Sequence, residues 1–124
     1  MSAIRSKDTL PEKVVRSFLF RNGFRFRVCD RRLPGKPDIV LPKWKTVIEV
    51  RGCFWHRHGC AEATMPKTNL EFWRRKFKAN VARDRRNERA LAAAGWNVIV
   101  VWTCGLSHAH RDETLAEVLR MIVT

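Results

Sequence analysis

Asp38-Ile39-Val40-Leu41-Pro42-Lys43-Trp44-Lys45-Thr46-Val47-Ile48-Glu49-Val50 places two β-branched, apolar runs on either side of a four-residue connection, the pattern of a β-hairpin. Apolar side chains occupy successive positions in both runs, so both faces of the hairpin need cover and it belongs in the middle of a sheet. Upstream lies a Gly/Pro-rich loop, Leu33 to Pro37, and before it Phe24 to Cys29 alternates apolar with basic residues, the period of a strand with one covered face. Thr9-Leu10-Pro11-Glu12 has the form of a capping box with proline in the first turn, and Val14, Val15, Phe18 and Leu19 follow at helical spacing. This predicts a helix over 10–22, stopped by Asn22-Gly23. Downstream, Thr68 and Glu71 form a second capping box that opens a long helix to about Ala94, with Gly95 as its stop. Asn97 to Trp102 reads as a buried strand, and Asp112 caps a last helix carrying Leu115, Val118, Leu119 and Ile122 on one stripe. The expected architecture is an α/β fold: helices on the faces of a mixed central sheet, in a single domain spanning 1–124.

The chain has 124 residues, too few for a second core, and no apolar run near the roughly 18 residues that would cross a membrane. No signal or lipidation motif is evident, which predicts a cytoplasmic protein with no membrane partner. Against 25 Lys and Arg stand only 12 Asp and Glu, a net charge of +13. Self-repulsion of that size is tolerable when the usual partner is a polyanion, and nucleic acid is the first candidate. Four cysteines in a reducing compartment do not read as a disulfide framework, so metal or packing has to explain them.

The hairpin carries a geometric expectation. If Leu41 pairs with Thr46, counting outward places Asp38 opposite Glu49 on one face, and Arg51 points to the same face. Converging carboxylates suit Mg²⁺; the bland alternative is a turn aspartate beside a Glu49–Arg51 pair. Pro37-Asp38 followed by Glu49-Val50-Arg51 resembles the PD-(D/E)xK nuclease core, with arginine in the usual lysine place. Arg51 cannot act as a base, although it could stabilise charge on a phosphorane. Cys53, His58 and Cys60 supply three zinc ligands within eight residues, and Cys104, just past the last strand, could close a tetrahedral, structural Zn²⁺ site. His56 stays outside that set as a candidate general acid or base, unless it replaces His58 as ligand. Glu12 reads as the capping partner of Thr9. Phe54, Trp55 and Trp73 are either wedges that unstack bases or a satellite core over the zinc loop. The long helix carries a basic run from Arg74 to Arg89, interrupted by Asn80, one side of which would meet phosphates.

Taken together, Arg5-Ser6-Lys7-Asp8-Thr9 with Glu12, Leu33 to Asp38, Gly52 to His56, Pro66 to Asn69 with Phe72-Trp73, Asn80 to Arg85, and Gly95-Trp96 with Val101-Trp102 closely resemble the Vsr family of very-short-patch mismatch repair endonucleases. The resemblance implies a restriction-endonuclease-like three-layer core with one structural zinc. It further implies a Mg²⁺-dependent nick on the 5′ side of the T in a T:G mismatch left by deamination of 5-methylcytosine, with a functional link to a cytosine-5 DNA methyltransferase. Asp38 then matches the Mg²⁺-binding aspartate, Val50 a metal-holding backbone carbonyl, His56 a histidine at the scissile phosphate and Glu12 a functional glutamate. Cys53, His58, Cys60 and Cys104 match the zinc set; Phe54, Trp55 and Trp73 match the intercalating wedge; Lys76 and Asn80 match mismatch-reading positions. Two positions depart from the pattern, since the family often carries an uncharged residue where this chain has Glu49 and His or Asp where it has Arg51. A monomer suffices for an asymmetric mismatch. The alternatives are a PD-(D/E)xK nuclease with relaxed or non-T:G specificity and a zinc-stabilised DNA-binding module without catalysis.

Overall fold

A computed structural model describes residues 10–28, 30–52 and 68–123. Helix α1 spans Leu10–Arg21, β1 Arg27–Val28, β2 Ile39–Leu41, β3 Thr46–Arg51, α2 Leu70–Ala93, β4 Asn97–Trp102 and α3 Arg111–Val123. The four strands form one mixed sheet in the order β1-β2-β3-β4. Both β1–β2 and β2–β3 pair antiparallel, while β3 and β4 run parallel across the long connection that contains α2.

The hairpin register is the expected one: Leu41 faces Thr46 and Ile39 faces Ile48, so one further step brings Asp38 opposite Glu49. Its connection is a short 3₁₀ turn over Pro42–Trp44, closed by Lys45 in the left-handed region at φ 52°. Successive residues of a strand face opposite ways, and the two apolar sets enter different layers. Ile39, Leu41, Ile48, Ile99 and Val101 join Val15 and Leu19 of α1 and Leu115, Val118 and Ile122 of α3 in the larger core. Val40 and Val47 meet Leu91 of α2 in a smaller one. The result is three layers, with α1 and α3 on one face of the sheet and α2 on the other. Each fully buried aliphatic side chain contributes about 1.5–3 kcal/mol, so the larger core anchors the fold and the smaller one holds α2 more lightly.

The stop of α2 follows the expected chemistry. Gly95 takes φ 91°, its N–H donates to the Ala92 carbonyl at 3.0 Å, and the Trp96 N–H donates to the Leu91 carbonyl at 3.0 Å. This is a Schellman closure with Trp96 packed by Leu91.

Three local expectations are corrected. The strand expected over 24–29 begins only at Arg27 and is described over Arg27–Val28, because Phe24 is drawn into the main core directly after α1; Cys29 lies outside the described residues. The long helix begins at Leu70 with Asn69 as its cap residue, at φ 53° and without a side-chain cap hydrogen bond, so Thr68 and Glu71 do not form a capping box there. Asp112 lies inside the first turn of α3, one residue after its start, where its charge still favours the helix N-terminus. Thr9, the other half of the first capping box, lies outside the described residues.

Candidate active site

Parallel β3 and β4 end side by side, with Arg51 registered against Trp102. Asp38, one residue before antiparallel β2, comes to that same end of the sheet. Its carboxylate is held there by the backbone: Oδ2 accepts a hydrogen bond from the Val50 N–H at 2.7 Å. Burial pushes the Asp38 carboxyl up to about 7; the Val50 N–H opposes this, the charges of Glu12 and Glu49 add to it, and Arg51 opposes it.

Glu12 is buried, at 5% exposure, although it sits in the first turn of α1. Its influence on Asp38 shows that it belongs to the acidic end of the sheet as well as to the helix. Glu49 and Arg51 both face α2. The Arg51 guanidinium donates from Nη2 to Glu49 Oε1 at 3.1 Å and from Nη1 to Glu88 Oε2 at 3.1 Å. It also lies over the Trp102 ring, 5.9 Å from the centroid. Burial raises the Glu49 pKa against the pull of Arg51, with Asp84 and Glu88 adding to the rise. Burial works against the Arg51 charge, yet Glu49, Asp84 and Glu88 hold its pKa above the ordinary value. Glu49 Oε2 and Arg51 Nε are buried without a hydrogen-bond partner among the described residues.

Five of the chain's 12 acidic residues are therefore linked at one end of the sheet: Glu12, Asp38, Glu49, Asp84 and Glu88. Among the described residues the Arg51 guanidinium bonds two of them, Glu49 and Glu88. Partial burial disfavours the charged forms of Asp38 and Glu49, and a cation bound there would offset that cost. No three described His, Cys, Asp or Glu side chains already converge closely enough to hold a metal by themselves.

Asp84 and Glu88 escaped the sequence reading. The signal was present: they fall in phase with buried Phe77 and Leu91, so the inward stripe of α2 turns acidic in its middle. The basic residues of the same helix, Arg74, Arg75, Lys76, Lys78, Arg83, Arg85, Arg86 and Arg89, are all exposed. Asn80 is half-buried and its Oδ1 accepts from Arg83 Nη2 at 2.9 Å. Trp73 is half-buried too, stacked on Phe77 at 5.7 Å and met edge-on by Phe72 at 5.3 Å. Of these rings Phe72 is the open one, 52% exposed. Cys104 sits half-buried in the 3₁₀ turn Thr103–Leu106 directly after β4. Cys53, Phe54, Trp55, His56, His58 and Cys60 lie outside the described residues.

The chain is similar to known proteins over most of its length. Residues 1–62 match the family model of the DNA mismatch endonuclease Vsr. The chain is 55% identical over 107 residues to the type II nicking enzyme V.XorIIP of Xanthomonas oryzae pv. oryzae, covering 86% of this chain and 79% of the relative. It is 51% identical over 108 residues to the type II nicking enzyme V.NmeAIP of Neisseria meningitidis, covering 87% and 77%. With the DNA mismatch endonuclease Vsr of Escherichia coli it shares 45% identity over 119 residues, covering 94% and 76%.

Proposed function

Since the chain belongs to the Vsr family of DNA mismatch endonucleases, we propose that it nicks one strand of duplex DNA on the 5′ side of the T in a T:G mismatch, using Mg²⁺ at Asp38. It is a DNA-nicking hydrolase; the mismatch, the metal and the roles of individual residues are the proposal. The observation that carries it is the Asp38 carboxylate, pinned by the Val50 amide and set among Glu12 and Glu49.

Mg²⁺ fits these residues. It takes hard oxygen ligands, and one or two carboxylates suffice. Asp38 has a second oxygen outside the Val50 bond, and Glu49 has a buried oxygen without a donor among the described residues. In a strand the N–H and C=O of one residue leave on the same side, so the Val50 carbonyl shares the edge on which its amide meets Asp38. Asp38 and the Val50 carbonyl would hold the ion, with Glu49 beside them. When bound, the metal supplies Lewis-acid stabilisation of the phosphate's charge. Glu12 adds a second carboxylate to the same end of the sheet, and His56 would exchange a proton with the attacking water or the leaving oxygen.

The zinc set Cys53, His58, Cys60 and Cys104 is supported by the register. Arg51 and Trp102 are paired, and Cys53 and Cys104 each follow by two residues in sequence. A closed sulfur and imidazole set would anchor the loop carrying His56 to the core. Phe54, Trp55 and Trp73 would open the mismatch, Lys76 and Asn80 would read it, and the exposed arginines of α2 would hold the backbone. The protein would work as a monomeric single domain in the cytoplasm, on T:G mismatches left when the 5-methylcytosine made by a partner cytosine-5 methyltransferase deaminates.

Because the relatives are nicking enzymes, a DNA-binding module without catalysis is set aside. Relaxed specificity stays as the competitor, motivated by the Glu49–Arg51 pair. Nicking of a duplex panel that varies both the mismatch and its flanks, with and without Mg²⁺, decides between them. Faster nicking at T:G than at C:G supports the proposal, and equal rates overturn it.

A further inference from the structure

We propose that Arg51 and Glu88 form a strut through which helix α2 fixes the strand end that holds the Asp38 carboxylate, making Glu88 a positioning residue for the nicking reaction. The inference rests on the reading of Asp38 above. It starts from the bracket around one amide. Val50, whose N–H grips Asp38 at 2.7 Å, stands between Glu49 and Arg51, and these two are joined to each other and to α2. Arg51 reaches Glu49 at 3.1 Å on one side and Glu88 at 3.1 Å on the other, across 37 residues of sequence. The guanidinium side chain is 7% exposed and lies over Trp102, so few other orientations are open to it.

A second contact from the neighbouring helix position braces the other side of Asp38. Gly35, three residues upstream, sits so close to α2 that a Cβ there would fall 2.7 Å from Asn87 Nδ2. Asn87 and Glu88 thus touch the chain before and after the metal-binding aspartate. The outer face of this same helix carries the basic surface. With both amino groups held by carboxylates, Arg51 serves as the link between helix and strand, and the charge on a scissile phosphate falls to other groups. A link of this kind matters because small displacements of reacting groups cost rate far more than affinity.

The test compares wild type, Glu88→Ala, Glu88→Gln and Asp38→Ala on the mismatched duplex that the wild-type protein nicks. Three quantities are read: the single-turnover rate at saturating protein, the duplex Kd, and Mg²⁺ affinity by calorimetry without DNA. Glu88→Ala is expected to lose about tenfold in rate, with duplex Kd within about twofold of wild type and Mg²⁺ bound more weakly. Glu88→Gln, which keeps an acceptor for Arg51, recovers most of the rate. A wild-type rate in Glu88→Ala, or a loss of duplex affinity equal to the loss of rate, overturns the strut. If Glu88→Ala does not fold, Glu88→Asp carries the test: it keeps the charge but shortens the reach, so the same loss of rate is expected and a wild-type rate overturns the strut. Asp38→Ala separates the two readings. Full nicking in that variant overturns the assignment of Asp38 itself, whereas an inactive Asp38→Ala beside a fully active Glu88→Ala overturns the strut alone.

Discussion

Asp38 illustrates how a single side chain can be stable only in company. Its carboxyl is raised to about 7 in the folded chain, against 3.8 ordinarily, because burial and the charges of Glu12 and Glu49 outweigh the Val50 hydrogen bond and Arg51. The folded state therefore keeps a proton through a pH range in which the unfolded chain has lost it, and stability falls as pH rises through that range. Metal-free protein is expected to lose thermal stability between about pH 4 and pH 7, and Asp38→Asn, which can still accept from Val50, should flatten that decline. Scanning calorimetry across pH checks it; a decline of the same slope in both proteins would show that Asp38 is not its source. Added Mg²⁺ should raise the wild-type Tm more at about pH 8 than at about pH 5, where the competing proton is bound.

At the scale of elements, the hairpin was legible because a four-residue connection and alternating faces leave one register, and that register alone put Asp38 opposite Glu49. The helices were legible from their 3.6-residue spacing, the first from its start at Leu10, the long one apart from its cap. Thr68 failed as a cap because the cap position falls to Asn69 in the left-handed region at φ 53°, a conformation that asparagine adopts more readily than most residues. Asp84 and Glu88 were hidden inside a run of arginines, where composition pointed outward while phase with Leu91 pointed inward. The loop before β2 tests the packing of α2 directly. Gly35 has φ 75° and lies hard against Asn87, so Gly35→Ala adds backbone strain to a clash. A loss of about 1–3 kcal/mol in denaturant unfolding is expected, and an unchanged midpoint would mean that the loop does not sit on the helix as described.

Across the whole molecule, charge is segregated by depth. The eight basic residues of α2 face solvent while Asp84 and Glu88 face the sheet, so a chain of +13 carries a concentrated negative site under a positive surface. The surface predicts duplex binding whose log affinity falls linearly with log salt, with a slope steeper than about −3.5 if four or more phosphates are neutralised. Fluorescence anisotropy over a salt series measures it, and a flat response would deny the basic face a place in binding. Net charge announced this partner from the sequence, but the separation of signs needed the fold. The zinc and wedge roles proposed for residues between 53 and 60 rest on ligand spacing and adjacent aromatics, and those residues lie outside the described ones. The central claim is that Asp38 is the carboxylate on which the reaction turns. Its most direct test is strand-specific nicking of a T:G duplex by wild type and Asp38→Asn, with duplex binding measured alongside. The account predicts Mg²⁺-dependent nicking by wild type and none by the variant, with binding retained in both; nicking at equal rates would contradict it.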